Sequence, residues 1–98
     1  MGAYSFSCTG SGQTAKAAFD SACQDARYNY GHGGYTGTIA EKDSFVMIKV
    51  PENFTGSEED YADHLISECD PRIDDKWGPA GCIDLGNGKW LFFGWASS

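Results

Sequence analysis

The sequence predicts an α+β domain in which a four-stranded mixed sheet packs with two helices in the order β-α-β-α-β-β. Three observations carry that prediction. Apolar residues recur at spacings of three and four in two stretches, 15–30 and 58–69, and as alternation or short continuous runs elsewhere. Asn87-Gly88 stands between two apolar runs, the strongest short-range signal of a β-hairpin. The 98 residues are 41% hydrophobic and 14% aromatic, enough for one core, so 1–98 reads as a single folded domain.

The first strand is expected over 3–8, where Tyr4, Phe6 and Cys8 alternate with Ser5 and Ser7. A polar turn, Thr9-Gly10-Ser11-Gly12, should follow it. In the first helix Ala15, Ala18, Phe19, Ala22, Ala26 and Tyr30 share one stripe, mostly alanine, which lets the helix lie close to a sheet. Gly31 is its natural stop. Residues 44–50 form a second strand, apolar at nearly every position, as a central strand would be. Pro51 ends it.

Ser57 reads as the N-cap of the second helix, with Glu58, Glu59 and Asp60 complementing the helix dipole. Ala62, Leu65, Ile66 and Cys69 supply its apolar stripe, and Pro71 closes it. In the terminal hairpin a two-residue turn pairs Leu85 with Trp90 and Ile83 with Phe92 on one face. Cys82 with Phe93 and Ala80 with Trp95 fall on the other. Both faces are apolar. With the helices expected mainly on one side, the other face needs a cover: the central loop, or a second subunit in a homo-oligomer.

Composition narrows the function. Fourteen acids against seven Lys and Arg give a net charge of −7, and the seven cations are scattered, so direct nucleic-acid binding is disfavoured. The acidity either keeps a small protein soluble or imitates nucleic acid before a basic protein partner. No apolar run reaches the ~20 residues of a membrane span, and 1–6 lack the pattern of a secretory signal. The expected location is therefore the cytoplasm, where Cys8, Cys23, Cys69 and Cys82 read as small buried hydrophobes rather than disulfides. They form no C-x-x-C pair, and a zinc site from His32, His64 and a cysteine has no spacing logic. No metal or cofactor is expected.

The candidate site is the segment 28–42, with four glycines between positions 31 and 37. Glycines let a backbone approach a ligand and present its N–H groups. The ligand-binding set is Tyr30, His32, Gly33, Gly34, Tyr35, Thr36, Gly37, Thr38, Glu41 and Lys42. Tyr30 and Tyr35 would stack on a base or sugar, Thr36 and Thr38 offer hydroxyls, Glu41 suits a ribose hydroxyl and Lys42 a phosphate. The competing reading is a tight connection whose tyrosines complete the core. A second motif, Gly10-x-Gly12-x-x-Ala15, has the look of a dinucleotide fingerprint but lacks the acid ~20 residues further on; it is better read as a helix-capping turn. No G-x-x-x-x-G-K-[ST] phosphate loop is present. Trp77, beside Gly78-Pro79, is expected to plug the end of the sheet. Catalytic constellations are thin: nothing places a Ser or Cys beside His32 or His64, so no catalytic residue is assigned.

The segments Gly31-His32-Gly33-Gly34-Tyr35-Thr36-Gly37-Thr38-Ile39-Ala40-Glu41-Lys42 and Trp77-Gly78-Pro79-Ala80-Gly81-Cys82-Ile83-Asp84-Leu85 resemble small proteins of actinobacteria and their phages. That resemblance implies a bacterial or viral cytoplasmic setting and supplies no catalytic residue. The expected function is a non-enzymatic binding protein holding a small polar or nucleotide-like ligand. A protein that inhibits a host protein through its acidic surface is the second reading, and a small hydrolase or transferase using His32 the third.

Overall fold

The structure is a computed structural model, which describes residues 3–30 and 38–97. In chain order the elements are β1 (Ala3–Ser11), α1 (Ala15–Tyr30), a single 3₁₀ turn (Ile39–Glu41), β2 (Phe45–Met47), α2 (Glu58–Ser67), β3 (Ala80–Gly86) and β4 (Lys89–Ser97). The four strands form one mixed sheet in the order β1-β4-β3-β2. β4 is antiparallel to both of its neighbours, and β2 runs parallel to β3. The α+β class and the order β-α-β-α-β-β are those read from the sequence.

The helices lie on opposite faces of the sheet, which corrects the expectation that both sit on one. Successive strand residues point to alternate faces, and in β4 both sets are apolar. Phe92, with Cys82 and Ala80 of β3, joins Ala18, Phe19, Ala22, Cys23 and Ala26 of α1. Leu91 and Phe93, with Ile83 of β3, join Ala62 and Leu65 of α2, together with Ile48 and Ile73. Among the described residues, α2 supplies the cover of this second face. Phe19, Phe45 and Phe92 pack as a mutual triad with ring centroids 5.1–6.0 Å apart.

The helix ends follow from local chemistry. Thr14 Oγ1 accepts from the Ala17 N–H at 3.1 Å, so the second glycine motif is a helix-capping turn. At α2 the Ser57 hydroxyl accepts from the Asp60 N–H while the Asp60 carboxylate accepts from the Ser57 N–H, a reciprocal capping box. β1 runs three residues beyond the expected strand, through Thr9 and Gly10 to Ser11, because β4 is long enough to pair with all of it.

Two strand readings change. β2 is only three residues long and lies at an edge rather than in the centre. Its apolar run serves both clusters, since Phe45 packs on the α1 side and Val46 on the α2 side, while Met47 is exposed. In the hairpin Asn87 and Gly88 both have positive φ, 56° and 75°, as the two-residue turn requires. The partners beyond it are displaced by one: Ile83 faces Leu91 and Cys82 faces Phe92. The cause is an irregularity between Asp84 and Gly86, where the Asp84 carboxylate accepts from the Gly86 N–H at 2.8 Å and takes Leu85 out of the ladder. Trp77 is 62% exposed, with the Lys76 ammonium over its ring, so it does not plug the sheet.

Cys23 and Cys82 are buried, Cys8 is half-buried and Cys69 is exposed, and all four are free thiols. Burial, with a smaller contribution from nearby Cys23, pushes the Cys8 thiol up to about 11. Burial, reinforced by Asp84, pushes Cys82 to about 11 as well. The thiolate is the reactive form, so iodoacetamide at pH 8 should add a single label to the native protein, at Cys69. Intact-mass spectrometry with peptide mapping reads this directly. Cys8 should become reactive only in denaturant or as the pH nears 11. Labelling of Cys8 at the rate of Cys69 would mean that α1 lifts off β1.

No helix among the described residues is long and apolar enough to cross a membrane.

Candidate functional site

The candidate segment leaves α1 at Tyr30 and re-enters the described structure at Thr38. His32, Gly33, Gly34, Tyr35, Thr36 and Gly37 lie outside the described residues, as does the Tyr30 side chain. From Thr38 onward the chain forms a packed turn. The Thr38 hydroxyl accepts from the Ala40 N–H at 3.2 Å and caps the 3₁₀ turn. Ile39 is buried in the α1 cluster, and its carbonyl accepts from the Cys23 thiol at 3.5 Å. Glu41 sits at the end of the turn, half-buried.

Lys42 has a different environment from the one its sequence position suggests. It is 1% exposed. Its ammonium donates to three backbone carbonyls of the loop before β3: Asp75 at 3.1 Å, Lys76 at 3.3 Å and Gly78 at 2.9 Å. An ammonium has three N–H donors, and three acceptors surround it. Lys42 therefore clips the 75–78 loop to the start of β2 and does not face a phosphate. Burial pushes its pKa below the usual lysine value, opposed in part by the Asp75 carboxylate.

Beside the two ends of the candidate segment lies a cleft of about 480 Å³ between β1 and the second half of α1. Its walls are Ser5 to Thr9 of β1, Ala22, Asp25, Ala26 and Asn29 of α1, and Thr38 with Ile39. The helix contributes positions 22, 25, 26 and 29, one face at helical spacing. The alanines there are too short to fill the space between helix and strand, which opens the cleft. Asp25 brings a carboxylate and Asn29 a carboxamide, while Phe6 and Cys8 face α1. Ser5, Ser7 and Thr9 border the cleft but lie opposite Trp95, Phe93 and Leu91, so their side chains turn to the α2 face. The Asn29 amide donates to the Asp25 backbone carbonyl at 2.9 Å, which sets its orientation.

Sequence reasoning missed Asp25 and Asn29. A signal was present in α1, where polar Asp25 and Asn29 fall one residue from the alanine stripe. Of the described members of the predicted set, Thr38 borders this cleft and Glu41 and Lys42 do not.

A larger depression of about 650 Å³ sits on the far side of the sheet, lined by Met47 to Val50, Glu58 and Ile83 to Gly86. None of the described residues singled out for ligand binding in the sequence lines it. His64 is exposed on α2 and stacks on Tyr61, ring centroids 6.3 Å apart. Among the described residues no group of three His, Cys, Asp or Glu side chains is placed to hold a metal ion.

The fold and the cleft define a small α+β domain with one helix on each face of a mixed sheet. No family model, curated protein or solved structure matches the chain.

Proposed function

We propose that this chain is a non-enzymatic binding protein that takes a small polar ligand in the cleft between β1 and α1. One observation carries the reading: Asn29 and Thr38, which flank the glycine-rich segment, both line this cleft beside Asp25 and the edge of β1. Such clefts, with a few convergent polar groups over apolar walls, are the usual form of small-molecule sites. The lining narrows the ligand class. Asp25 is the one charged residue among its described walls, and no cation joins it. A neutral or amine-bearing ligand with several hydroxyls, such as a nucleoside, suits it better than a phosphorylated one. The setting implied by the actinobacterial and phage resemblance is a cytoplasm in which the protein sequesters a small molecule.

Amide chemical-shift mapping with a panel of nucleosides, sugars and polyamines tests this. Shifts clustered at Ser5 to Thr9, Asp25, Asn29 and Thr38, abolished by Asp25→Ala at unchanged melting temperature, are the expected result. Shifts confined to the Met47–Gly86 depression, or none with any compound, would sink the proposal.

A second reading rests on α2, where Glu58, Glu59, Asp60 and Asp63 are all exposed in a chain of net charge −7. They would present an acidic face to a basic host protein. Affinity for such a partner should fall steeply with added salt, whereas ligand binding in the cleft should not.

A further inference from the structure

The two edges of the sheet are not alike. β2, at one end, is three residues long, and Lys49 and Pro51 follow it closely. Short strands, charges and prolines are the usual means by which an edge is kept from pairing with another chain. β1, at the other end, spans nine residues, Ala3–Ser11, and pairs with β4 across all nine without a break. Among the described residues no strand lies on its outer side. None of its residues is charged, none is proline, and no bulge bends it. Among the described residues its outward backbone groups have no strand partner, so they form a template for another strand.

Charge placement sharpens the contrast. The chain holds seven Lys and Arg and fourteen Asp and Glu, and none of them precedes Lys16. Two copies of a protein with net charge −7 repel each other over most of their surfaces. β1 is an uncharged edge along which they can meet without strand residues of like charge opposing each other. Ser5, Ser7 and Thr9 are exposed and alternate along the strand, and hydroxyl pairs across strands are favourable.

We propose that β1 is a self-association edge, at which two copies of this chain pair their β1 strands antiparallel about a two-fold axis and join their sheets into one. An antiparallel pair between identical strands is self-complementary, as a two-fold interface must be. Each alternate residue exchanges two backbone hydrogen bonds with its opposite number, about eight to ten bonds over nine residues. The guarded β2 edge stops further addition, so assembly ends at the dimer. The pairing stands independently of the ligand reading. Where both hold, the partner's strand borders the outer side of the cleft along Ser5 to Thr9.

Sedimentation velocity on the full chain from low micromolar to about 1 mM protein, joined to amide hydrogen exchange at both ends of that range, tests the proposal. The expected result is a species of twice the chain mass at high concentration, with slower exchange confined to β1 amides. Ser7→Lys sets like charges across the pair and should weaken association at least about tenfold; Ser7→Thr should not. Ser7 is exposed, so circular dichroism should show both variants folded. The exchange measurement also needs no variant. A wild-type chain that stays monomeric throughout overturns the proposal. So does a dimer indifferent to Ser7→Lys whose β1 amides exchange equally at both concentrations, or a ladder of larger species. Ligand retention, read separately by native mass spectrometry, bears on the cleft and not on the pairing.

Discussion

Replacing Lys42 by Met should lower stability by about 3 kcal/mol, a fall of roughly 10–20 °C in melting temperature for a domain of this size. Methionine keeps most of the aliphatic length, so little of the loss comes from packing. The change removes the ammonium that donates to the carbonyls of Asp75, Lys76 and Gly78. Hydrogen bonds from a charged donor are worth about 1.5–3 kcal/mol each, but the uncharged side chain also avoids the desolvation of an ammonium. The sum is smaller than three full bonds for that reason. Lys42→Arg should not rescue, because a planar fork cannot address three carbonyls arranged around a point. Thermal denaturation of both variants checks this. An unchanged midpoint for Lys42→Met would mean that desolvation cancels the bonds, leaving Lys42 a determinant of loop position alone.

Gly10→Ala should cost about 1–3 kcal/mol, although it adds one methyl group. A Cβ at position 10 would stand 2.6 Å from the Ala18 carbonyl oxygen and 3.2 Å from the Phe92 ring. The oxygen belongs to the α1 backbone and cannot rotate aside, so the helix itself must move. Because α1 and β1 form the two long walls of the cleft, any ligand bound there should be weakened as well. Ala17→Ser, on the exposed side of the same helix turn, should change neither property by much. Denaturant titration of the two variants separates the effects; a Gly10→Ala midpoint equal to wild type would show that α1 rides on the sheet with slack.

Much of the fold was legible in the sequence because its signals are local. Asn87-Gly88 demanded a particular turn, Ser57 with Asp60 marked a helix start, and the alanine stripe of α1 announced a helix lying close on a sheet. The features that escaped depend on side chains acting across or against the local pattern. One carboxylate, Asp84, bonds to the Gly86 N–H and displaces the hairpin pairing by a residue. The division of the helices between two faces was implicit in the alternation of Leu91, Phe92 and Phe93, but α1 and α2 could satisfy either face until the chain path was known. Lys42 comes after a glycine-rich segment and so suggested an anion site. Its real acceptors lie 33 to 36 residues downstream, beyond the reach of any local rule. The cleft escaped for a related reason: its walls, β1, the second half of α1 and Thr38, come together only through the chain path.

The position of β4 bears on how the protein is made. It follows the other three strands in chain order yet lies second in the sheet, between β1 and β3. β1 takes its sheet hydrogen bonds from β4, and Leu91, Phe92 and Phe93 supply side chains to both cores. Neither core is complete until β4 joins, so the apolar stripes of α1 and α2 lack part of their sheet partners until residues 89–97 have been made.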